Sequence, residues 1–281
     1  MISSIKKYFF VMRNRLSAKT FAIYCLLFTV FLSCQKVINI NLNSSASKLV
    51  VEGDVNNLAG PYTFKLSRTS NYFDNSPAPA ETGALVIISD NGGTQDTLHE
   101  GIPGTYSSSH LSGACGKNYS LYISSSGKQY TASQIMMDSV AIDSVSYQLR
   151  VSPRSQTAQY SVTLSFTDPL KLGNYYGFRV YHNRTIENDI MKNRLINDQL
   201  SNGDAFHMRF RSSDWKQNDT VRVELISFSK NAYDFYNTIK QTLEAGSPFS
   251  APPANPVTDI TNGALGFFGV YAITSRQIIL K

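Results

Sequence analysis

Charge, cysteine and histidine are scarce in this chain. Only 16% of its 281 residues are charged, and it holds 3 cysteines, 4 histidines and a single tryptophan. Low charge beside 42% hydrophobic and 12% aromatic residues excludes a coiled coil, a collagen and a disordered tail. The histidines His99, His110, His182 and His207 form no closely spaced pair; there is no His-Glu-x-x-His, no Cys-x-x-Cys and no acidic calcium loop. The ligand spacing of a metal site is thus missing, and neither a metal nor a cofactor is expected. Gly-x-Ser-x-Gly, Walker and dinucleotide-type glycine loops are missing too.

An excess of positive charge is only apparent. The formal net charge is +6, from 26 basic and 20 acidic residues. Lys6, Lys7, Arg13, Arg15 and Lys19 precede residue 34 with no acid among them, which leaves 21 basic against 20 acidic residues in the body. A nearly neutral body argues against a nucleic-acid binder, which needs a basic face to displace counterions from phosphates, a local basic patch being the alternative.

Those five cations precede an apolar run from Phe21 to Leu32, too short for a comfortable membrane span of about 20 residues. The run ends at Ser33-Cys34, then polar Gln35-Lys36. This order resembles a bacterial lipobox, with a departure at Phe31 and Leu32 where Leu and a small residue are commoner. Residues 1–33 are read as a lipoprotein signal peptide and Cys34 as the lipidation site. The thiol is what takes the diacylglycerol, and several acyl chains give near-permanent anchoring at about 0.8 kcal/mol per buried CH₂. An ordinary secretory signal with an incidental cysteine is the alternative. With Cys25 in the leader and Cys34 acylated, only Cys115 remains, so no intrachain disulfide is expected. Cys115, in Gly113-Ala114-Cys115-Gly116, is read as a small buried hydrophobe rather than a nucleophile.

Residues 34–47 are polar and read as a tether. From Lys48 the grammar is short alternating runs: 49–55, 62–67, 83–89, 97–99, 118–123 and 129–132, with turns at Asp90-Asn91-Gly92-Gly93 and Ser124–Lys128. Such spacing predicts a β-sandwich over 48–136. A composition shift at Met136–Val140 places a junction there. Over 137–281 the predicted strands are 144–151, 159–166, 174–181, 206–211, 220–228 and a closing strand 263–272, with 187–204 as a long loop, one helical turn within it being the alternative. Ala232, Tyr233, Phe235, Tyr236, Ile239 and Leu243 follow helical spacing, which predicts one amphipathic helix over 231–245, capped by Asn231, with Gly246 just past its end. Its aromatic stripe is read as core packing against a sheet. The expected fold is mainly β: two sandwich units, immunoglobulin-like or transthyretin-like, with one helix in the second.

Two patterns point beyond packing. Tyr72 and Phe73 in the polar loop 70–82, and Phe249 in the Pro-rich stretch 247–256, are aromatics on loops, typical of an interface. The alternative for them is a satellite hydrophobic cluster. Asp-Ser/Thr-aliphatic triplets at Asp96, Asp138, Asp143 and Asp219 exceed the roughly one expected by chance. They resemble an O-glycosylation sequon of Bacteroidota envelope proteins, and equally the entry of a turn into a strand.

The order of motifs resembles the Bacteroidota lipoproteins of domain of unknown function family 4249. The matching residues are Leu49-Val50-Val51-Glu52-Gly53, Tyr72-Phe73, Gly83-Ala84-Leu85-Val86, Gly104-Thr105-Tyr106 and Gly116-Lys117-Asn118-Tyr119-Ser120-Leu121. Further on come Phe166-Thr167-Asp168-Pro169, Asn174-Tyr175-Tyr176, Asn202-Gly203, Tyr233-Asp234-Phe235-Tyr236, Asn262-Gly263 and Gly266-Phe267-Phe268-Gly269. The resemblance implies an outer-membrane envelope lipoprotein, commonly encoded beside TonB-dependent receptors, with no established catalytic residue. Val37-Ile38-Asn39 lack the acids that accompany surface export in that phylum, so both faces of the outer membrane remain open.

The expectation from all this is a non-enzymatic, lipid-anchored accessory or ligand-capture partner of a TonB-dependent receptor, with its ligand unknown. A freestanding glycan- or peptide-binding adhesion module is the alternative, and a hydrolase with dispersed carboxylates a third reading. Mass spectrometry of the mature amino terminus is expected to find acylated Cys34 as the first residue. Cys34→Ser is expected to release the protein from the membrane fraction.

Overall fold

The computed structural model describes residues 46–70, 76–151, 158–192, 194–244 and 256–281. Cys34, Tyr72, Phe73 and Phe249, with the leader and residues 34–45 of the tether, lie outside the described residues.

Alternation of apolar and polar side chains drives the first half into strands. They are β1 (Leu49–Asn56), β2 (Thr63–Arg68), β3 (Leu85–Asp90), β4 (Gln95–Thr97), β5 (His99–Ile102), β6 (Thr105–Ser107), β7 (Asn118–Ser125) and β8 (Lys128–Ile135). Between β7 and β8 the chain reverses through Ser126 and Gly127, both at positive φ (50° and 74°), whose twist matches that of the strands they join. At the β3–β4 turn, the Asp90 carboxylate accepts the amides of Gly92 and Thr94 at 2.9 and 2.8 Å, while Lys117 Nζ lies 2.6 Å from its other oxygen.

The second half comprises β9 (Ser144–Val151), β10 (Ala158–Thr167), β11 (Tyr175–His182), β12 (Thr185–Asn188), β13 (Ile196–Asn197), β14 (Ala205–Ser212), β15 (Thr220–Phe228), helix α1 (Lys230–Glu244) and β16 (Leu265–Ile279). Among the described residues the fold is mainly β with one helix, late in the chain, as the patterning predicts.

Several boundaries differ for local reasons. β3 starts at Leu85 rather than Gly83, whose φ of 69° leaves the extended region. The run at 97–99 is split at buried Leu98, where the chain passes from one sheet to another. Residues 187–204 hold the one helical turn allowed for them, a 3-10 turn at Ile190–Lys192, but also the end of β12 and β13, so they are not one loop. Edge strands need not be apolar on both faces, so polarity concealed them. Helix α1 is capped by Ser229, whose Oγ accepts the Ala232 amide at 3.3 Å, not by Asn231; Gly246 lies outside the described residues. Ala232, Tyr233, Phe235 and Tyr236 pack on the sheet as expected, but Leu243 is exposed. β16 runs seven residues past Ala272, because its last part is paired yet largely solvent-facing.

One sheet runs through both halves, in the order β12-β11-β15-β16-β1-β2-β6-β5, with β13 also beside β11. A four-stranded sheet (β4-β3-β7-β8) and a three-stranded sheet (β14-β10-β9) complete the fold. β16 pairs in parallel with β1 from Leu265 to Tyr271, then antiparallel with β15 from Ala272 to Ile279. Alternation along β16 sends Phe268, Val270 and Ala272 into the first core, with Ile278 on that same face against the second. The opposite face carries Phe267, Tyr271 and Ile273 beneath α1. The two smaller sheets therefore cover one face of the long sheet and the helix covers the other. Met136 lies in the first core and Val140 in the second, while the closing strand, expected within the second unit, serves both.

Buried Glu81 pins the chain ahead of β3 to the end of β2. It accepts a bidentate bond from Arg68 (2.5 and 2.7 Å) and hydroxyl bonds from Ser125 and Ser126. The Arg68 bond, with help from the two serines against the cost of burial, lowers its pKa to about 2. A depressed carboxylate stabilises the fold above its unfolded pKa of about 4.3 and ceases to do so as pH falls through the folded value. Glu81→Gln is expected to cost about 1–3 kcal/mol near neutrality. In urea unfolding at stepped pH, that difference from the wild type should vanish between about pH 5 and pH 2.

Candidate functional site

A groove of about 720 Å³ lies between α1 and the parallel pair β1–β16. Its floor follows from strand alternation. Leu49, Val51 and Val55 enter the first core, so Val50, Glu52 and Asp54 face the other way and line the groove. Leu265, Phe267 and Tyr271 of β16 continue the floor; Phe235, Tyr236 and Ile239 of α1 form the wall. Lys48, Asp189 and Pro256 border it.

The aromatic residues are fixed by one another. Phe235 stacks on Phe267 with ring centroids 4.7 Å apart, and Phe228 meets Tyr271 edge-on at 5.3 Å. The hydroxyls of Tyr236 and Tyr271 are 2.8 Å apart. Burial pushes the Tyr236 pKa up to about 12 and that of Tyr271 well above the ordinary phenol value, so both remain protonated at neutral pH. Gly269 makes room for this pair. It lies opposite Asp54 in the parallel register, and a Cβ there would stand 2.3 Å from the Tyr271 hydroxyl and 2.8 Å from the Asp54 Cβ.

Beside the groove, on the same face of the long sheet, sits an ion network. Arg179 of β11 reaches Asp189 at 3.2 Å and Glu224 at 3.8 Å. Glu224 also faces Arg222 at 3.4 Å and accepts the Tyr181 hydroxyl at 3.3 Å; Arg222 lies over the Tyr181 ring, 3.8 Å from its centroid. Burial acts against the Arg179 charge, but Asp54, Asp189, Tyr236 and Glu224 outweigh it and raise its pKa. Burial raises the Glu224 pKa despite its two arginines. Asp54 accepts a bond from Asn56 Nδ2 at 2.9 Å, and Asp189 accepts the Ile190 amide at 2.7 Å. Aromatic faces above carboxylates suit a ligand with an apolar body and a positive charge.

The residues proposed from sequence as interface anchors, Tyr72, Phe73 and Phe249, and the lipidation site Cys34, lie outside the described residues. The groove's sequence signal was the outward set Val50, Glu52 and Asp54, with two acids, on a strand whose other face is wholly apolar. Cys115 is half-buried and packs against the first core. Among the described residues no cluster of three or more His, Cys, Asp or Glu side chains is placed to hold a metal ion. Two of the Asp-Thr-aliphatic triplets have a structural use. Asp96 accepts the amides of Ser109, His110 and Leu111 at 2.8–2.9 Å. Asp219 is held near a pKa of 2 by bonds from Asn183, His182 and the Lys216 amide.

The family model described as domain of unknown function (DUF4249) matches residues 35–277. No curated protein matches the chain. The geometry also carries an expectation of its own: Gly269→Ala should displace Tyr271, break its bond to Tyr236 and cost about 1–3 kcal/mol in urea unfolding. An unchanged unfolding midpoint would show that the groove floor is looser than its packing implies.

Proposed function

We propose that this chain, which belongs to the DUF4249 family, is a non-catalytic ligand-capture lipoprotein of the outer membrane. It is tethered through Cys34 and works beside a TonB-dependent receptor. The observation that supports capture most directly is the groove between α1 and β1–β16, with its locked aromatic wall and its carboxylate floor. Pre-organised aromatic surfaces bind without a large ordering cost. The ligand class that fits is an amphipathic cation, such as a short peptide carrying lysine or arginine beside apolar side chains. The acylated cysteine and the receptor partnership rest on the leader and on the family resemblance.

A hydrolase is the competing reading, and one observation favours it: Glu52 and Asp54 share the groove floor two residues apart on β1. Paired carboxylates are what acid–base cleavage of a glycoside needs. Turnover of a chromogenic glycoside that disappears in both Glu52→Gln and Asp54→Asn would replace capture by catalysis.

Affinity purification from solubilised outer membranes is expected to recover a TonB-dependent receptor with the protein; recovery of the protein alone would end the partnership. In calorimetric titration with a library of basic peptides, Phe235→Ala and Asp54→Asn should each weaken binding about tenfold or more, about 1.4 kcal/mol, with thermal unfolding little changed for Asp54→Asn.

A further inference from the structure

Charge that nearly cancels over the whole body is unevenly spread. The three-stranded sheet β14-β10-β9 turns one face to the second core, with Tyr147, Val162, Leu164 and Met208 packed inward. Its two pairings run without a register shift, so the alternate residues share the outer face. There Ser165 lies between Ser144 and His207, Thr163 between Ser146 and Arg209, and Ser161 between Gln148 and Arg211, while Arg150 stands opposite Gln159. The ionisable side chains of this face are all basic: His207, Arg209, Arg211 and Arg150, each exposed. Asp143, Asp204 and Asp214 lie past the ends of β9 and β14. Arg68, Arg179 and Arg222 all meet a carboxylate, but among the described residues Arg150, Arg209 and Arg211 make no ion pair.

The face is a trough. Ser161 is buried and Thr163 and Ser165 are half-buried, so β10 forms the floor and the larger exposed side chains of β14 and β9 form the rims. His207 Nδ1 lies 2.8 Å from Ser165 Oγ, and Ser161 Oγ donates to the Gln148 carbonyl at 3.4 Å. Alternate residues of a strand are about 7 Å apart, which makes His207, Arg209 and Arg211 a straight basic row; Arg150 belongs to the opposite rim, two strands or about 10 Å across. Like charges in a row repel one another until a polyanion lies along them. Guanidinium forks take carboxylate or sulfate groups in bidentate fashion, and serine, threonine and glutamine between them match sugar hydroxyls. The face carries no Phe, Tyr or Trp on which nucleobases would stack, and no apolar side chain larger than Ala205 to enter a bilayer.

We infer that the outer face of β14-β10-β9 binds an acidic polysaccharide, an extended chain bearing carboxylate or sulfate groups. Arg209 and Arg211 grip successive anionic groups from one rim and Arg150 another from the opposite rim, while the hydroxyls of the floor meet the sugar. The site is independent of the groove, which lies beneath α1 on the far side of the long sheet.

The test titrates the full chain in detergent micelles with alginate (a polyuronate), heparin (a sulfated glycan), neutral dextran and a DNA duplex. At least one acidic glycan is expected to bind and dextran not to, with affinity falling several-fold between about 50 and about 200 mM salt. The double variant Arg209→Gln/Arg211→Gln should weaken binding about tenfold or more. Ser146→Glu, which keeps every cation and adds a negative charge opposite Thr163, should weaken it several-fold; it decides the matter if the double variant does not fold. Lys128→Gln, exposed on β8 of the first sandwich, should change nothing. Failure of both acidic glycans to bind, dextran binding as well as they do, or an equal loss in Lys128→Gln overturns the assignment. Tighter binding of the duplex through the same arginines also overturns it and gives the face to nucleic acid. Peptide binding in the groove should survive all three variants, so the two sites fail or stand separately.

Discussion

The fold depends on one strand shared between two cores. β16 has to be parallel to β1 in its first half and antiparallel to β15 in its second. No single neighbour spans its whole length, so the strand joins the sandwiches into one sheet. Its alternation then divides the labour of each face: Phe268, Val270 and Ala272 fill the first core while Phe267, Tyr271 and Ile273 await the helix. Because β15 stops pairing with β16 at Ser227, the chain can leave the sheet and lay α1 back across the exposed face of β16. The groove is the space left where that helix covers β16 more fully than β1.

A small polar knot keeps the pieces in register. Buried Gln134 of β8 accepts the Ser229 hydroxyl at 2.9 Å and donates to Asp259 at 2.9 Å; Asp259 accepts the Phe268 amide at 3.0 Å. One side chain thus ties the first sandwich, the cap of α1 and the start of β16. Burial raises the Asp259 pKa, against its bonds from Gln134 and Phe268. Buried amides of this kind are costly when unpaired, so the knot favours one arrangement of the three elements over its alternatives. The β10–β11 and β13–β14 loops use the same device, with Asp168 and Asp198 satisfied by backbone amides and the Tyr176 hydroxyl.

How much was legible before the structure depends on how local each cause is. The β7–β8 hairpin was legible because its turn needs positive φ at adjacent residues and the sequence supplies Ser126-Gly127. The helix was legible from its aromatic spacing, but its cap was misplaced by two residues, since Ser229 and Asn231 are equally good candidates in isolation. The groove was not legible. Glu52 and Asp54 read as ordinary solvent-facing positions until α1, some 180 residues later, is seen to lie over them. The exposure of Leu170, Leu172 and Leu200 was equally hidden, because a leucine in a loop carries no mark of whether its side chain is covered.

By itself, the sequence determined the class of fold and the membership of a family, because strand alternation, turn chemistry and helical spacing are short-range properties written within a few residues. It also determined the order in the leader that makes Cys34 the expected anchor, since charge, apolar run and thiol are adjacent. Tertiary structure alone decided that the last strand would complete the first core, that an arginine of β11 would share a face of the long sheet with the carboxylates of β1 and that Leu170, Leu172 and Leu200 would be left exposed on their loops. These depend on pairing between segments far apart in the chain, and the energy of such pairing comes from complementary surfaces that exist only once both have folded.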